Sequence, residues 1–213
     1  MSDVKAGARR GRKSKGAARE AEQTQTRRAI LDAATRLFLR HGYRDFSLRQ
    51  VAAAIGYTPT TIYLYFEDKD DLLFHVAMEG FRHFGAMLQA GYDAGATPLE
   101  RLLALGRAYV RFGLDNPLHY RLMFIDRDEF LQREPPPGFE APADSFGLLV
   151  RTVNECIAAG EIRPVDPEAL AMAIWAAVHG VVSLALTSSG MDRAHVEAIA
   201  ELTFSILAQG LRP

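Results

Sequence analysis

The stretch Phe46-Ser-Leu-Arg-Gln-Val-Ala-Ala-Ala-Ile-Gly-Tyr-Thr-Pro-Thr-Thr-Ile-Tyr-Leu-Tyr-Phe-Glu-Asp-Lys-Asp-Asp-Leu-Leu73 decides the fold. Ser47 followed three residues later by Gln50 has the form of a capping box, in which a hydroxyl closes a helix start. Val51, Ala54 and Ile55 predict a short apolar stripe at helical spacing. Gly56 stops that helix, because glycine adopts the left-handed conformation a helix end needs. Thr58-Pro59 opens another: threonine caps, and proline occupies the first helical position, where no N–H is required. Ile62 and Phe66, four apart, face inward, leaving Thr60, Thr61, Tyr63 and Tyr65 outside. Two short helices about a tight glycine turn make a helix-turn-helix.

The neighbouring segments extend this pattern. Upstream, Ile30, Ala34, Leu37, Phe38 and His41 give a supporting helix that Gly42 ends. Downstream, Asp68 caps a long helix, and Asp70 and Asp71 suit the positive end of its dipole. Lys69 does not suit it, and a phosphate lying over the helix N-terminus would account for it. Leu73, Val76, Ala77, Phe81, Phe84 and Leu88 continue this helix as a core stripe towards Ala90, so that a ligand in the second domain could move the first.

The run ending Ile55-Gly56, the block Ile62-Tyr63-Leu64-Tyr65-Phe66, and Lys69-Asp70-Asp71-Leu72-Leu73 together resemble the DNA-binding signature of the TetR family of transcriptional regulators. The resemblance includes Arg27 to Ala34, Leu37-Phe38 and His41-Gly42-Tyr43, and covers residues 24–75. It implies a double-stranded DNA operator. Tyr63, Tyr65 and Lys69 match family positions that contact phosphate. Ser47 and Thr58, at helix starts, add hydroxyl and N–H contacts. Arg49, Pro59, Thr60 and Thr61 match positions that approach base edges. Arg49 could read guanine bidentately, worth about 1–3 kcal/mol of discrimination. Pro59 stands where family members often carry a polar residue, which removes one donor.

Charge is distributed unevenly. The 213-residue chain has a formal net charge of −1, yet residues 1–30 hold nine Lys and Arg against three Asp and Glu, leaving −7 for the remainder. A basic end on a mildly acidic body suits a polyanion partner at one end. Residues 1–22 carry no aromatic and one valine, a composition that predicts a disordered basic arm able to lie along phosphates. No apolar run follows the basic residues, so this is not a secretory signal. The single cysteine, Cys156, excludes an internal disulfide and fits a cytoplasmic location; a buried apolar role suits it better than a reactive one.

Residues 23–70 are therefore expected to form the helix-turn-helix domain, and residues 71–213 a helical effector-binding and dimerisation domain. The whole is all-α, an N-terminal three-helix domain joined by a long helix to the second. Thr97-Pro98-Leu99-Glu100 is another capping box. Asn116-Pro117, Asp166-Pro167 and Asp192 open further helices, Phe146 to Ile157 forms one that stops at Gly160, and the prolines between Arg133 and Ala143 predict a loop.

Between Glu168 and Asp192 no residue is charged. His179, Gly180 and Ser183, and the lack of basic or aromatic flanks, argue against a membrane span. Ala173, Ala176, Ala177 and Gly180 instead offer small faces for close helix approach. The last helix offers Val196, Ile199, Ala200, Thr203, Phe204 and Leu207. Two such helices per subunit would make a two-fold four-helix interface, and the resemblance likewise implies a homodimer through the last two helices. The block Trp175-Ala-Ala-Val-His179-Gly180 is similar to one in a subgroup of family C-terminal domains.

A small-molecule effector would occupy a mostly apolar pocket, with Phe84, Tyr109, Tyr120, Met123, Phe124, Phe146, Val150, Trp175 and His179 as candidates; ordinary core packing is the competing role for each. Few charges fall among them, which favours an apolar or aromatic effector. No HExxH, GxSxG, GxGxxG or P-loop occurs and the six histidines are scattered, so the sequence predicts no enzyme, metal or cofactor. The reading is a ligand-responsive repressor; the rival is an architectural helical protein without a ligand.

Overall fold

A computed structural model describes residues 3–125, 143–188 and 190–213. The described residues are helical and include no strand. The loop expected between Arg133 and Ala143 lies, but for Ala143, outside them. The chain divides into two compact units, Met1–Val76 and Ala77–Pro213.

The first unit holds α1 (Asp3–Asp45), α2 (Leu48–Ile55), α3 (Pro59–Tyr63) and the start of α4 (Lys69–Ala94). Gly42, at φ 68°, kinks α1 where the sequence stopped it. The basic segment ahead of Gln23 is helix from Asp3 onward, continuous with the rest of α1. Its Ala, Arg, Lys and Glu are strong helix formers, and it extends a helix already nucleated and packed beyond it. Ile30, Ala34 and Phe38 are buried, as their spacing requires, together with Leu31 and Ala33.

α2 buries Leu48, Val51 and Ala52, whereas Ala54 is exposed and Ile55 half-buried. The expected stripe was rotated: an eight-residue helix docks by its first turn, and Leu48 joins Val51 and Ala52 at i, i+3, i+4 spacing. Gly56 takes φ 73°, and the Tyr57 N–H reaches back to the Ala52 carbonyl at 2.9 Å. Ile62 and Phe66 are 0% and 2% exposed. They anchor α3 and fix which of its sides is left to solvent.

The second unit comprises the rest of α4, then α5 (Pro98–Asp115), α6 (Pro117–Tyr120), a π-helical turn (Arg121–Ile125), α7 (Ser145–Ala158), α8 (Pro167–Thr187) and α9 (Arg193–Gly210). Thr97 and Glu100 form the full reciprocal capping box, at 3.2 Å each way. α5 is central, packing against α6, α7, α8 and α9. Gly106 and Gly113 make this possible. A Cβ at Gly106 would lie 2.7 Å from the Phe204 ring, and one at Gly113 would collide with Val182.

α8 is long and apolar enough to cross a membrane by length and composition. Here it packs against α5, α7 and α9 and buries Ala171, Ile174, Val178 and Val182. Cys156 is fully buried in a second cluster with Leu102, Val153, Ile162 and Ala171, and burial pushes its thiol up to about 12.

Candidate functional site

In the first unit the exposed side of the helix-turn-helix collects the residues singled out from sequence. Arg49, Thr58, Pro59 and Thr60 are exposed, and Ser47, Thr61, Tyr65 and Lys69 half-buried. Tyr63 is 59% exposed. The Thr58 hydroxyl accepts from the Thr61 N–H at 3.4 Å and lies 3.1 Å from the Thr61 hydroxyl, so the cap also orders the start of α3. The Ser47 hydroxyl accepts from the Gln50 N–H at 3.4 Å and donates to Gln50 Oε1 at 2.9 Å. Sequence reasoning passed over Tyr57 and Leu64, which are 44% and 79% exposed. A large apolar side chain left outside a short anchored helix was the available signal.

Lys69 has a partner inside the unit. Its ammonium donates to the Tyr43 carbonyl at 2.9 Å and sits 3.8 Å above that tyrosine's ring. The Tyr43 hydroxyl donates to Asp70 Oδ1 at 2.6 Å. The cation at the α4 start thus satisfies a carbonyl just past the Gly42 kink, an account of Lys69 that needs no phosphate. Asp68 caps α4 through the Asp71 N–H at 2.7 Å, and Asp71 returns a bond to the Glu67 N–H at 2.9 Å. Arg27 stacks over Phe66 at 5.2 Å and Arg28 pairs with Asp32 at 3.1 Å.

The second unit contains a cavity of about 350 Å³ walled by α4, α5, the π turn, α7 and α8. Six of the nine candidate residues line it: Phe84, Tyr109, Met123, Phe124, Phe146 and Trp175. Phe81, Leu88, Leu102, Leu105, Met172, Ile174 and Val178 complete the apolar wall, and Asp144 and Ser145 at the α7 N-terminus add polar atoms. Phe81 and Leu88 belong to the core stripe of α4; periodicity marks the inward face of a helix but cannot say whether that face meets protein or space.

Three candidates do not line the cavity. Val150 packs against the second cluster instead. Tyr120 and His179 lie behind the wall. Their rings stack at 5.7 Å with 23° between planes, and Tyr120 is 0% exposed. What joins them is a chain of polar contacts starting at two lining residues. Trp175 Nε1 donates to the Tyr109 hydroxyl at 3.2 Å. That hydroxyl lies 3.0 Å from the Tyr120 hydroxyl and 3.1 Å from His179 Nδ1. Tyr120 Oη lies 2.7 Å from the same Nδ1, and Ser183 Oγ 3.1 Å from His179 Nε2. Burial pushes the Tyr109 phenol up to about 12, raises Tyr120 further, and lowers His179 from its usual value. All three groups are therefore neutral near pH 7.

Comparison with known proteins bears on both units. Residues 30–76 match the model for bacterial regulatory proteins of the tetR family, and residues 102–207 match the model for the tetracyclin repressor-like C-terminal domain. The chain belongs to the TetR family. It is similar to the HTH-type transcriptional regulator RutR of Escherichia coli K12, 25% identical over 196 residues and covering 88% of this chain and 91% of RutR. The HTH-type transcriptional regulator Rv1816 of Mycobacterium tuberculosis is 26% identical over 161 residues, which are 71% of this chain. The match spans 65% of that relative's length. A bacterial regulatory protein of the tetR family from Rhodococcus RHA1 shares the fold, with TM-score 0.72 and 24% identity, covering 87% of this chain and 96% of that one. These matches are transcriptional regulators and not enzymes. The described residues have the all-α fold of that family, and the first unit carries its helix-turn-helix.

Proposed function

We propose that this TetR-family chain is a ligand-responsive repressor, released from its operator when a small apolar or aromatic molecule fills the second-unit cavity. The observation that carries the reading is that cavity: about 350 Å³ with six aromatic side chains in its wall, in the unit that matches the repressor-like C-terminal domain. Sites that bind small molecules are concave and mostly apolar, with a few placed polar groups. The effector acts by favouring a state whose recognition helices are wrongly spaced. Shifting a two-state equilibrium from mostly bound to mostly free takes roughly 5 kcal/mol of differential affinity.

On DNA, Tyr63 and Tyr65 hold phosphate, helped by Ser47 and Thr58 at the helix starts, and Lys69 joins them because its ammonium has three donors and gives one to the Tyr43 carbonyl. Arg49, Pro59, Thr60 and Thr61 approach base edges in the major groove. The basic residues of 1–22 lie along the adjoining backbone. Two copies pair through α8 and α9 in the cytoplasm. Supporting that pairing, Met172, Leu184, Ile199, Leu202 and Ile206 are large apolar side chains exposed on those two helices, and Gly180 has nothing within 4 Å of where its Cβ would lie.

Selection of duplexes from a random pool by the purified protein tests the reading. One sequence should be enriched, and binding to it should weaken in Tyr63→Phe and in Lys69→Ala, the latter lowering the salt slope by about one. Equal binding to all duplexes at physiological salt would overturn it.

A further inference from the structure

The polar chain behind the cavity can be followed proton by proton. Three donors enter it: Trp175 Nε1–H, the Tyr109 hydroxyl and the Tyr120 hydroxyl. With His179 neutral and its proton on Nε2, facing Ser183, every donor has an acceptor. Trp175 donates to Tyr109 at 3.2 Å, Tyr109 to Tyr120 at 3.0 Å, and Tyr120 to Nδ1 at 2.7 Å. The arrangement is closed, and no side-chain N or O atom buried in the described structure lacks a partner.

A second proton on His179 reverses the direction of the chain. Nδ1–H then donates to Tyr120, and Tyr120 donates to Tyr109, whose oxygen still accepts from Trp175. The Tyr109 hydroxyl proton is then left without a close acceptor in the chain, whose other oxygen in reach, the His179 carbonyl, lies at a long 3.5 Å from the Tyr120 hydroxyl. Tyr109 and Trp175 are both cavity-lining residues, so the cavity is where an acceptor can be supplied.

We propose that the cavity takes an effector combining an aromatic or apolar body with a hydrogen-bond acceptor, a carbonyl or carboxylate oxygen, which meets the Tyr109 hydroxyl while His179 takes up one proton. This rests on the cavity being the effector site. The groups facing the imidazole are Tyr109 from α5, Tyr120 from α6, the Phe124 ring from the π turn, and Trp175 and Ser183 from its own helix. Only the two tyrosines among them titrate, and burial keeps both protonated. Burial also keeps the imidazole neutral in the empty protein, so the proton arrives with the ligand. A carboxylate gains most, because it places a negative charge near the new imidazolium.

Trp175 is the single tryptophan of the chain, and its emission reports the cavity directly. Two probes share a ring and differ in the acceptor: 3-phenylpropionate, ionised throughout pH 6–8, and ethylbenzene. Both should shift the emission of the full chain. The dissociation constant of 3-phenylpropionate should rise with pH from 6 to 8, by at most tenfold per unit, with net proton uptake by calorimetry in buffers of different ionisation heat. Ethylbenzene binding should be flat with pH. His179→Gln should abolish the proton uptake. If that variant fails to fold, Tyr109→Phe should lose the affinity for 3-phenylpropionate and its slope while still binding ethylbenzene. Binding of 3-phenylpropionate that is flat with pH, or a slope that survives in Tyr109→Phe, overturns the proposal. So does binding of ethylbenzene alone, which leaves the effector cavity standing. No binding of either probe removes the cavity reading itself.

Discussion

One oxygen atom, Tyr109 Oη, lies within 3.2 Å of three polar partners. Removing it in Tyr109→Phe keeps the ring but leaves Trp175 Nε1–H without its acceptor. The buried Tyr120 hydroxyl loses a partner as well; losses of this kind cost about 1–3 kcal/mol, and each kilocalorie lowers Tm by roughly 2–4 °C at this chain length. Thermal unfolding should therefore fall by about 2–12 °C, within the range of those two figures. Tyr92→Phe, which loses a half-buried hydroxyl bond to Glu155, should fall less. His179 predicts a pH dependence of stability. Its folded pKa is depressed by burial, so the unfolded chain binds the proton more readily. The contribution is intact above the ordinary histidine value of about 6.5 and is lost as pH falls below it. Melting at pH 7.5 and 5.5 checks this: the acid-induced drop in Tm should shrink in His179→Gln relative to the parent.

Helices in this chain start and stop where short-range chemistry tells them to. Ser47, Thr58, Asp68, Thr97, Asp166 and Asp192 each mark a start in the sequence, and each has a helix beginning at the next residue. What crosses the chain is less legible. The Tyr109–Tyr120–His179 contacts join residues up to 70 apart in sequence, and no periodicity encodes which side of α5 meets which side of α8. For the same reason the candidate list for α9 mixed both faces: Val196, Ala200 and Phe204 are buried in their own unit, whereas Ile199 is exposed. Of the cavity, the aromatic wall was legible because large rings concentrate on inward faces; the placing of Tyr120 and His179 behind it was not. The helix glycines give a test at this scale. Gly113→Ala drives a methyl into Val182, and overpacking of this kind costs about 1–3 kcal/mol. Gly180→Ala meets nothing within 4 Å, and alanine gains about 1 kcal/mol of helix propensity over glycine. Denaturant midpoints of the two variants, measured at protein concentrations too low for pairing, should move in opposite directions.

Across the whole molecule, Ile199, Leu202 and Ile206 on α9 and Met172 and Leu184 on α8 leave apolar surface outside. Isolated exposed apolar residues are ordinary, but two packed helices presenting several together mark an association surface. Leu202 and Ile206, each 61% exposed, lie four apart and so share one side of α9. Replacing both by glutamate puts two like charges in each copy of the proposed interface and disturbs little of the unit's own core. The double variant should elute as a monomer in chromatography with light scattering, with its helical circular dichroism unchanged. The consequence should reach DNA. A dimer engages two half-sites about one helical turn, 34–36 Å, apart or somewhat more, and log K falls with log salt in proportion to the phosphates neutralised. A monomer reaches one half-site, so operator affinity should collapse and the salt slope should fall to about half. Ala90→Glu, on an exposed position of α4, is the control for added charge and should change neither. A double variant that stays dimeric would move the pairing surface off α8 and α9; one that is monomeric yet keeps the full slope would mean that a single copy makes all the phosphate contacts.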